Sequence, residues 1–578
     1  MLKIYSCKKL LQHYIISVIY PEKLFFQDAA LKKGPEDMRI AENLNGVWNF
    51  AYCGDAEPVP PFHTDGFISV PGCYDLMEPD CGKRGYALVS RKVRTGGMVM
   101  LFIDGLGLEA GIYFDGRKIG CAKYAYMPET FTFDAGPEGE HELAIVMNNK
   151  YNEVFEGYFD FYGYGGIYGD VTLTRIPENH IERLMVNTED YTTGTIRIQA
   201  KTSWPFSGTA GLRFDTGYEH KLEFSDGSAD LTLALPDYKL WSDTEPNLHT
   251  VTLTLGDDEV TETFGIREFT ASGRKLLLNG KPVKLLGFNR HESHPEVGAA
   301  MPAQLIAADL RLLKNAGFNY IRGSHYPQRK TFLELCDRMG IFVWEETLGW
   351  DVTAPKLHSP EFLEFQLEEA EKLTLQNYNH PCIVIKGFLN ENESDNQETR
   401  KVIEALYDKI RSIDKHTLIT YASNRYEKDV CTDLVDVIAM NPYPGWYDSE
   451  FGVNSTIGQV KLRLRELSDA LPKDKPYLIS EIGAEALFGF RDPLKSYWSE
   501  EYQAELLREA VEYVLENDDC AGLSIWLFAD TRSYTNGKNI YSRARGFNNK
   551  GILDEYRRPK LAWSVVAGMV AEYRKNKH

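Results

Sequence analysis

From Thr270 onward, short apolar runs alternate with amphipathic stretches eight times, and few folds can absorb that pattern. The runs are VKLLGF (283–288), NYIRG (319–323), IFVWE (341–345), CIVIKGFL (382–389), LITY (418–421), VDVIAM (435–440), PYLISE (476–481) and GLSIWLF (522–528). Between most of them lie helix-like stretches, such as PAQLIAADLRLLKNAG after Met301 and EEYQAELLREAVEYVLEN after Ser499. A strand followed by a helix, repeated eight times over about 300 residues, predicts a C-terminal (β/α)8 TIM barrel over 270–578.

The sequence before it has another texture. From Leu44 to Ile176 come aromatic and β-branched runs such as GVWNFAY and ELAIVMNN, broken by Gly, Pro, Asn and Asp, which predicts antiparallel β-structure. Residues 177–269 alternate cleanly in TIRIQA, ADLTLAL and HTVTLTLG, a stretch the size of an immunoglobulin-like β-sandwich. The chain is therefore expected to be multidomain, β and α/β, with β-sandwiches over 36–176 and 177–269 ahead of the barrel. Residues 1–35 are expected to be an extension without a fixed fold. Its apolar stretch Leu10–Tyr20 follows Lys8 and Lys9, but His13 and two tyrosines interrupt it and no small-residue cleavage site follows closely. Secretion is thus the lesser expectation and the cytoplasm the greater.

Composition narrows the partners. A net charge of −20 repels polyphosphates, which argues against nucleic acid. Nine scattered cysteines without a CxxC pair signal neither a disulfide framework nor a thiolate metal site and fit a reducing compartment. No run approaches the ~20 apolar residues of a membrane span.

In an α/β barrel the reacting groups sit where strands end, and here those tails are polar. They carry Asn289-Arg290-His291-Glu292, then Arg322 and His325, Glu345-Glu346, Asn390-Glu391, Asn441 and Tyr443, Glu481, and Trp526 through Asp530. Glu391 and Glu481 close runs four and seven, on nearly opposite sides of a barrel mouth. Two facing carboxylates can divide acid and nucleophile roles, the pairing that glycoside hydrolysis uses. The plainer alternative is that each caps a strand or pairs with Arg290 or Arg322. His291-Glu292-Ser293-His294 lacks the four-residue helical spacing of a zinc-protease motif, and Pro295 follows at once, so the segment is expected to order a loop or touch a ligand. The glycines of GLGLEAG (105–111) and DFYGYGGIYGD (160–170) lack a strand before and a helix after, so they predict turns rather than a dinucleotide site.

At these glutamates the chain resembles glycoside hydrolase family 2, and within it the β-glucuronidases, bacterial type, over about residues 38–575. The resemblance rests on LNGVWNF, FDFYGYGGIYGDVTL, LLGFNRHE, NYIRGSHYP, NHPCIVIKGFLNE, NPYPGWY, SEIGAE, YWSEEYQ, IWLFADTRS and RGFNNKGILDEYRRPK, in that family's order. It implies that the 36–176 sandwich is a sugar-binding jelly roll. It also implies that Glu391, beside Asn390, is the general acid/base and Glu481 the nucleophile, with no metal or organic cofactor. Asn548-Asn549-Lys550 resembles the N-x-K element that holds a sugar carboxylate; on this expectation a neutral hexose leaves the lysine without its partner. Asp160, His325, Asn441, Tyr443, Tyr447 and Trp526 match binding positions.

Three departures qualify the match. Lys386-Gly387 replaces the family's frequent Trp-Ser before the Asn-Glu pair, and Arg543 and Arg545 add charge near Lys550, which keeps a galacturonide open as substrate. The short connection from Thr347 to Pro360 implies an open aglycone side. The resemblance implies a retaining exo-acting β-glucuronidase working on small glucuronide conjugates or oligosaccharide ends, as a dimer or tetramer. Alternatives are a β-galacturonidase or dual uronidase, then a β-galactosidase, then a non-catalytic carbohydrate-binding protein.

Overall fold

The structure is a computed structural model and describes residues 39–76, 79–150, 161–447, 456–534 and 543–577. The expected extension at 1–35 and the binding candidate Asp160 lie outside the described residues.

The first region is a sandwich of a six-stranded and a four-stranded antiparallel sheet. Strand Gly139–Asn148 lies inside the larger sheet, pairing with Tyr86–Thr95 on one side and Glu109–Phe114 on the other. Alternating side chains from both sheets, among them Trp48, Val89, Leu101, Ile112 and Ile145, fill the space between. A second sandwich of three and four strands runs from Ile181 to Phe264, closed around Ile196, Ile198, Leu212, Val251 and Leu253.

Eight parallel strands then close into a barrel: β1 (Leu285–Asn289), β2 (Tyr320–Gly323), β3 (Phe342–Glu346), β4 (Ile383–Asn390), β5 (Leu418–Ser423), β6 (Ile438–Met440), β7 (Tyr477–Ile482) and β8 (Cys520–Ile525). Each apolar run of the sequence overlaps one of them. Nearly every strand residue is buried, as strands covered on both faces require. The outer helices are α1 (Ala303–Asn315), α2 (Lys330–Met339), α3 (Pro360–Gln376), α4 (Gln397–Ile413), α5 (Val460–Ala470), α6 (Glu500–Glu516) and α7 (Leu561–Lys577). Their starts are chemically marked: Ser359, Asn396 and Ser499 accept the N–H of Phe362, Thr399 and Tyr502 and so satisfy orphan donors of the first turn. Between β5 and β6 a 3-10 turn at Tyr426–Lys428 replaces the helix. Among the described residues, no helix is long and apolar enough to cross a membrane.

Both sandwiches lean on the barrel. The first meets the ends of β1 and β2 through an aromatic seam in which Tyr126 stacks on Tyr326 with ring centroids 3.7 Å apart. Asp104 accepts the Lys330 N–H and the Thr331 hydroxyl at the start of α2, at 2.8 and 2.9 Å. The second sandwich grips the opposite end, where Arg267 donates to the carbonyls of Pro381 and Ile383 at the start of β4. One sandwich thus borders the barrel mouth and the other its floor.

Candidate active site

The mouth is organised around a buried guanidinium. Arg322, at the end of β2, is fully buried and lies 4.6 Å over the Trp344 ring. It donates to Glu481 Oε1 at 2.8 Å, to Glu346 at 3.1 and 3.2 Å, and to the side-chain oxygens of Asn390 and Asn289 at 2.8 and 3.1 Å. One cation therefore orders the ends of β1, β2, β3, β4 and β7. The plain alternative of an ion pair with Arg322 is present for Glu481, and it aims the carboxylate rather than retiring it. Arg290 turns away, to Glu292 and Asp309.

Glu481 receives a second bond from the Tyr443 hydroxyl at 2.7 Å. Burial first, then the Glu481 and Glu391 charges, push the Tyr443 phenol well above its ordinary range, so it remains a donor and lies within the field of both glutamates. Glu391 is half-buried, and its Oε1 accepts from Asn441 Nδ2 at 2.8 Å. Asn441 in turn reaches Asn390 Oδ1 at 3.2 Å and accepts the Ser480 hydroxyl at 2.6 Å. A short hydrogen-bonded path, Glu391–Asn441–Asn390–Arg322–Glu481, joins the two carboxylates.

The backbone presents Glu391 in an unusual way. The β4–β5 ladder shifts register between Gly387 and Asn390, and Leu389 and Glu391 take left-handed φ values of 55° and 56°. Such conformations in residues other than glycine persist where the surroundings hold them, commonly at reacting sites. Here the Glu391 N–H is tied to Ala422 O at 2.9 Å, and Asn390 is bracketed by Gly349 and Asp351 of the connection after β3. The short Thr347–Pro360 connection thus clamps the Asn390 backbone. Beneath it, Gly387 is obligatory: a Cβ there would stand 2.1 Å from Trp344 Nε1. The β3 indole occupies that space, and Lys386 pairs instead with Asp414 at 3.2 Å.

His325 bridges the centre. Its Nδ1 lies 2.9 Å from Glu346 Oε1 and its Nε2 lies 3.8 Å from Glu481 Oε1, while its ring stacks on Trp526 with centroids 5.1 Å apart. Burial, opposed by Arg322, raises the Glu346 carboxyl to about 7. His291 and His294 turn to separate partners, Tyr326 and the Glu296 N–H. Phe161, next in sequence to Asp160, packs on His291 and approaches His325.

The third corner holds Lys550. It is 1% exposed and donates to Tyr447 OH at 2.7 Å and to Glu485 Oε1 at 3.3 Å. Asn548 is fully buried, and its Oδ1 accepts the Lys550 N–H at 3.2 Å. Arg543 joins the corner by donating to Glu485 at 3.0 Å, whereas Arg545 turns to Glu555 and Asn549. The lysine therefore has a carboxylate partner before any sugar arrives, which corrects the expectation that a neutral hexose would strand it. Tyr443 and Tyr447 lie edge to face at 5.1 Å and connect this corner to Glu481. Glu485 went unweighed in the sequence; its signal was a second glutamate four residues beyond Glu481 within SEIGAE.

The family model described as Glycosyl hydrolases family 2, TIM barrel domain, matches residues 269–572, and that described as Glycosyl hydrolases family 2 matches 179–267. The chain is 26% identical to a β-glucuronidase of Streptococcus agalactiae, over 90% of this chain and 94% of that protein. It is 31% identical to the β-glucuronidase of Rattus norvegicus, over 71% of this chain and 64% of the rat protein. In structure it is similar to a β-galacturonidase of Eisenbergiella tayi bound to galacturonate, with a TM-score of 0.85, 31% identity, and coverage of 92% of this chain and 97% of that one.

Proposed function

The chain belongs to glycoside hydrolase family 2, and from that premise we propose that it is a retaining exo-acting β-glucuronidase. The observation that carries this reading is the buried lysine corner at the same barrel mouth as two carboxylates joined by one hydrogen-bonded path. Curated relatives named β-glucuronidase, aligned over most of the chain, support it. Glu481, aimed by Arg322 and Tyr443, attacks the anomeric carbon as the bond to the aglycone oxygen breaks, and Glu391 donates a proton to that oxygen. Glu391 then takes a proton from water, whose oxygen displaces Glu481 and releases the sugar with its β-configuration kept. Asn548 and Lys550 hold the sugar carboxylate, while His325, Tyr443, Tyr447 and Trp526 wall the ring.

A second reading, a β-galacturonidase or an enzyme of both uronides, is favoured by the similarity to the Eisenbergiella tayi protein. The two sugars differ only at C4. Hydrolysis of chromogenic β-glucuronide, β-galacturonide and β-galactoside ranks the readings, and a preference for the galactoside overturns both. Anomer-resolved proton NMR of the first product checks retention; an α-product excludes the double displacement. The expected dimer or tetramer is checked by light scattering, and the expected cytoplasmic residence by fractionating producing cells.

A further inference from the structure

The lysine corner carries more charge than a carboxylate-binding lysine needs. Glu485 is fully buried, and three donors converge on its two oxygens: Arg543 Nη1 at 3.0 Å and Lys550 Nζ at 3.3 Å on Oε1, and the Asn549 N–H at 2.9 Å on Oε2. Burying a carboxylate costs several kcal/mol of lost hydration unless its partners are well placed. Here they are, and two cations are held together on one buried carboxylate beside Tyr447. Tyr447 fixes Lys550 from the other side, with the ammonium 4.9 Å from its ring centroid.

We infer that Glu485 is a specificity-setting positioning residue, an internal counter-anion that holds Lys550 and Arg543 ready for a uronate carboxylate and limits how tightly they grip it. The inference rests on the uronide reading above. Its physical content is a competition. A sugar carboxylate drawn to Lys550 comes near the Glu485 charge, in a buried place where screening by water is weak, so repulsion subtracts from attraction. A neutral sugar brings no such charge and leaves the Lys550–Glu485 pair intact. Glu485 thereby lets the corner recognise an acid yet release it as product.

The test is the inhibition constant of free D-glucuronate and D-galacturonate, measured with KM and kcat on the preferred chromogenic uronide. Glu485→Gln keeps an acceptor for the Asn549 N–H and removes the charge. It should lower the inhibition constant roughly tenfold and lower KM with it, without raising kcat. A merely structural role would loosen the lysine and raise both constants. Arg543→Gln gives the opposite sign, weakening uronate inhibition roughly tenfold, and serves if the glutamine variant does not fold. An inhibition constant unchanged or raised in folded Glu485→Gln, or unchanged or lowered in Arg543→Gln, overturns the inference alone. Wild-type protein that neither cleaves uronides nor is inhibited by them overturns the uronide reading and the inference with it.

Discussion

Two buried charge clusters meet at the barrel mouth, joined by Tyr443 and Tyr447, and among the described residues their balances are opposite. Around Arg322 one guanidinium serves two carboxylates, Glu346 and Glu481; around Glu485 one carboxylate serves two cations, Lys550 and Arg543. Both clusters cost hydration to bury, so neither arises for stability alone. The imbalance is the informative part. An excess of acidic groups, of which Glu346 releases its proton only near pH 7, suits a centre that must stabilise an oxocarbenium-like sugar carbon, and a surplus of positive charge suits one that must receive an acid group. On the proposed reading, placing the two a few side chains apart would orient a uronic acid along a single direction.

On the proposed mechanism, removing the charge of Glu481 from the first cluster should have the largest effect. Glu481→Gln is expected to lower kcat on a chromogenic uronide by about 10⁴-fold or more while the protein still binds free uronate. Activity undiminished in that variant, measured in a preparation free of host glycosidases, would sink the assignment. The cation of the same cluster should matter for folding. Arg322→Met strands two buried carboxylates and is expected to cost about 3–5 kcal/mol in urea unfolding; a cost under ~1 kcal/mol would mean that the network is not a framework for the site.

In the second cluster Lys550→Ala should lower kcat/KM on uronides by about 100-fold and change that on a neutral β-galactoside or β-glucoside far less. Equal losses on acidic and neutral sugars would remove the distinction between the clusters. At the junction, Tyr443→Phe deletes one donor to Glu481 and should reduce kcat about tenfold, with a smaller change in KM. A loss confined to KM would move Tyr443 from the reacting centre to the binding wall.

Among the described residues, Glu369 provides the reference for burial without a counter-charge. It is fully buried, accepts from the Leu348 N–H at 3.1 Å and from Gln366 at 2.9 Å, and burial raises its carboxyl from 4.5 to about 8. The folded chain therefore keeps a proton that the unfolded chain has lost, and this contribution to stability is present below pH 4.5 and falls away as pH rises to about 8. Glu369→Gln should remove about 1 kcal/mol per pH unit from the slope of unfolding free energy across that window, measured in buffered denaturant series. An unchanged slope would mean that the proton is not held there.

The legible parts were those written in neighbouring residues. The eight runs from VKLLGF to GLSIWLF each overlap a barrel strand because a strand covered on both faces must be apolar throughout, and that requirement leaves a continuous local mark. Glu391 and Glu481 were visible because a charge that closes an apolar strand is costly to bury and, in a barrel, falls at the mouth where the reacting groups lie. The gap between β5 and β6, where a 3-10 turn stands in for a helix, was visible only as the absence of a helix-like stretch. Less legible was Lys386-Gly387, whose reason is the Trp344 indole on the neighbouring strand. Glu485 was the residue most easily overlooked, since nothing within a few positions of it shows that a lysine and an arginine from beyond β8 will converge on its oxygens.

The sequence by itself determined the barrel and the polar residues at its strand ends, because strand burial and helix amphipathicity are short-range patterns. Only the tertiary structure decided which charge answers which: Arg322 finds Glu481 across 159 positions, Arg543 finds Glu485 across 58, and Arg545, two residues further on, turns elsewhere. Barrel closure brings β2 to β7 and the segment after β8 to the mouth. In that buried space a charge takes whichever partner the backbone sets within hydrogen-bond reach, so pairing is a property of the closed fold.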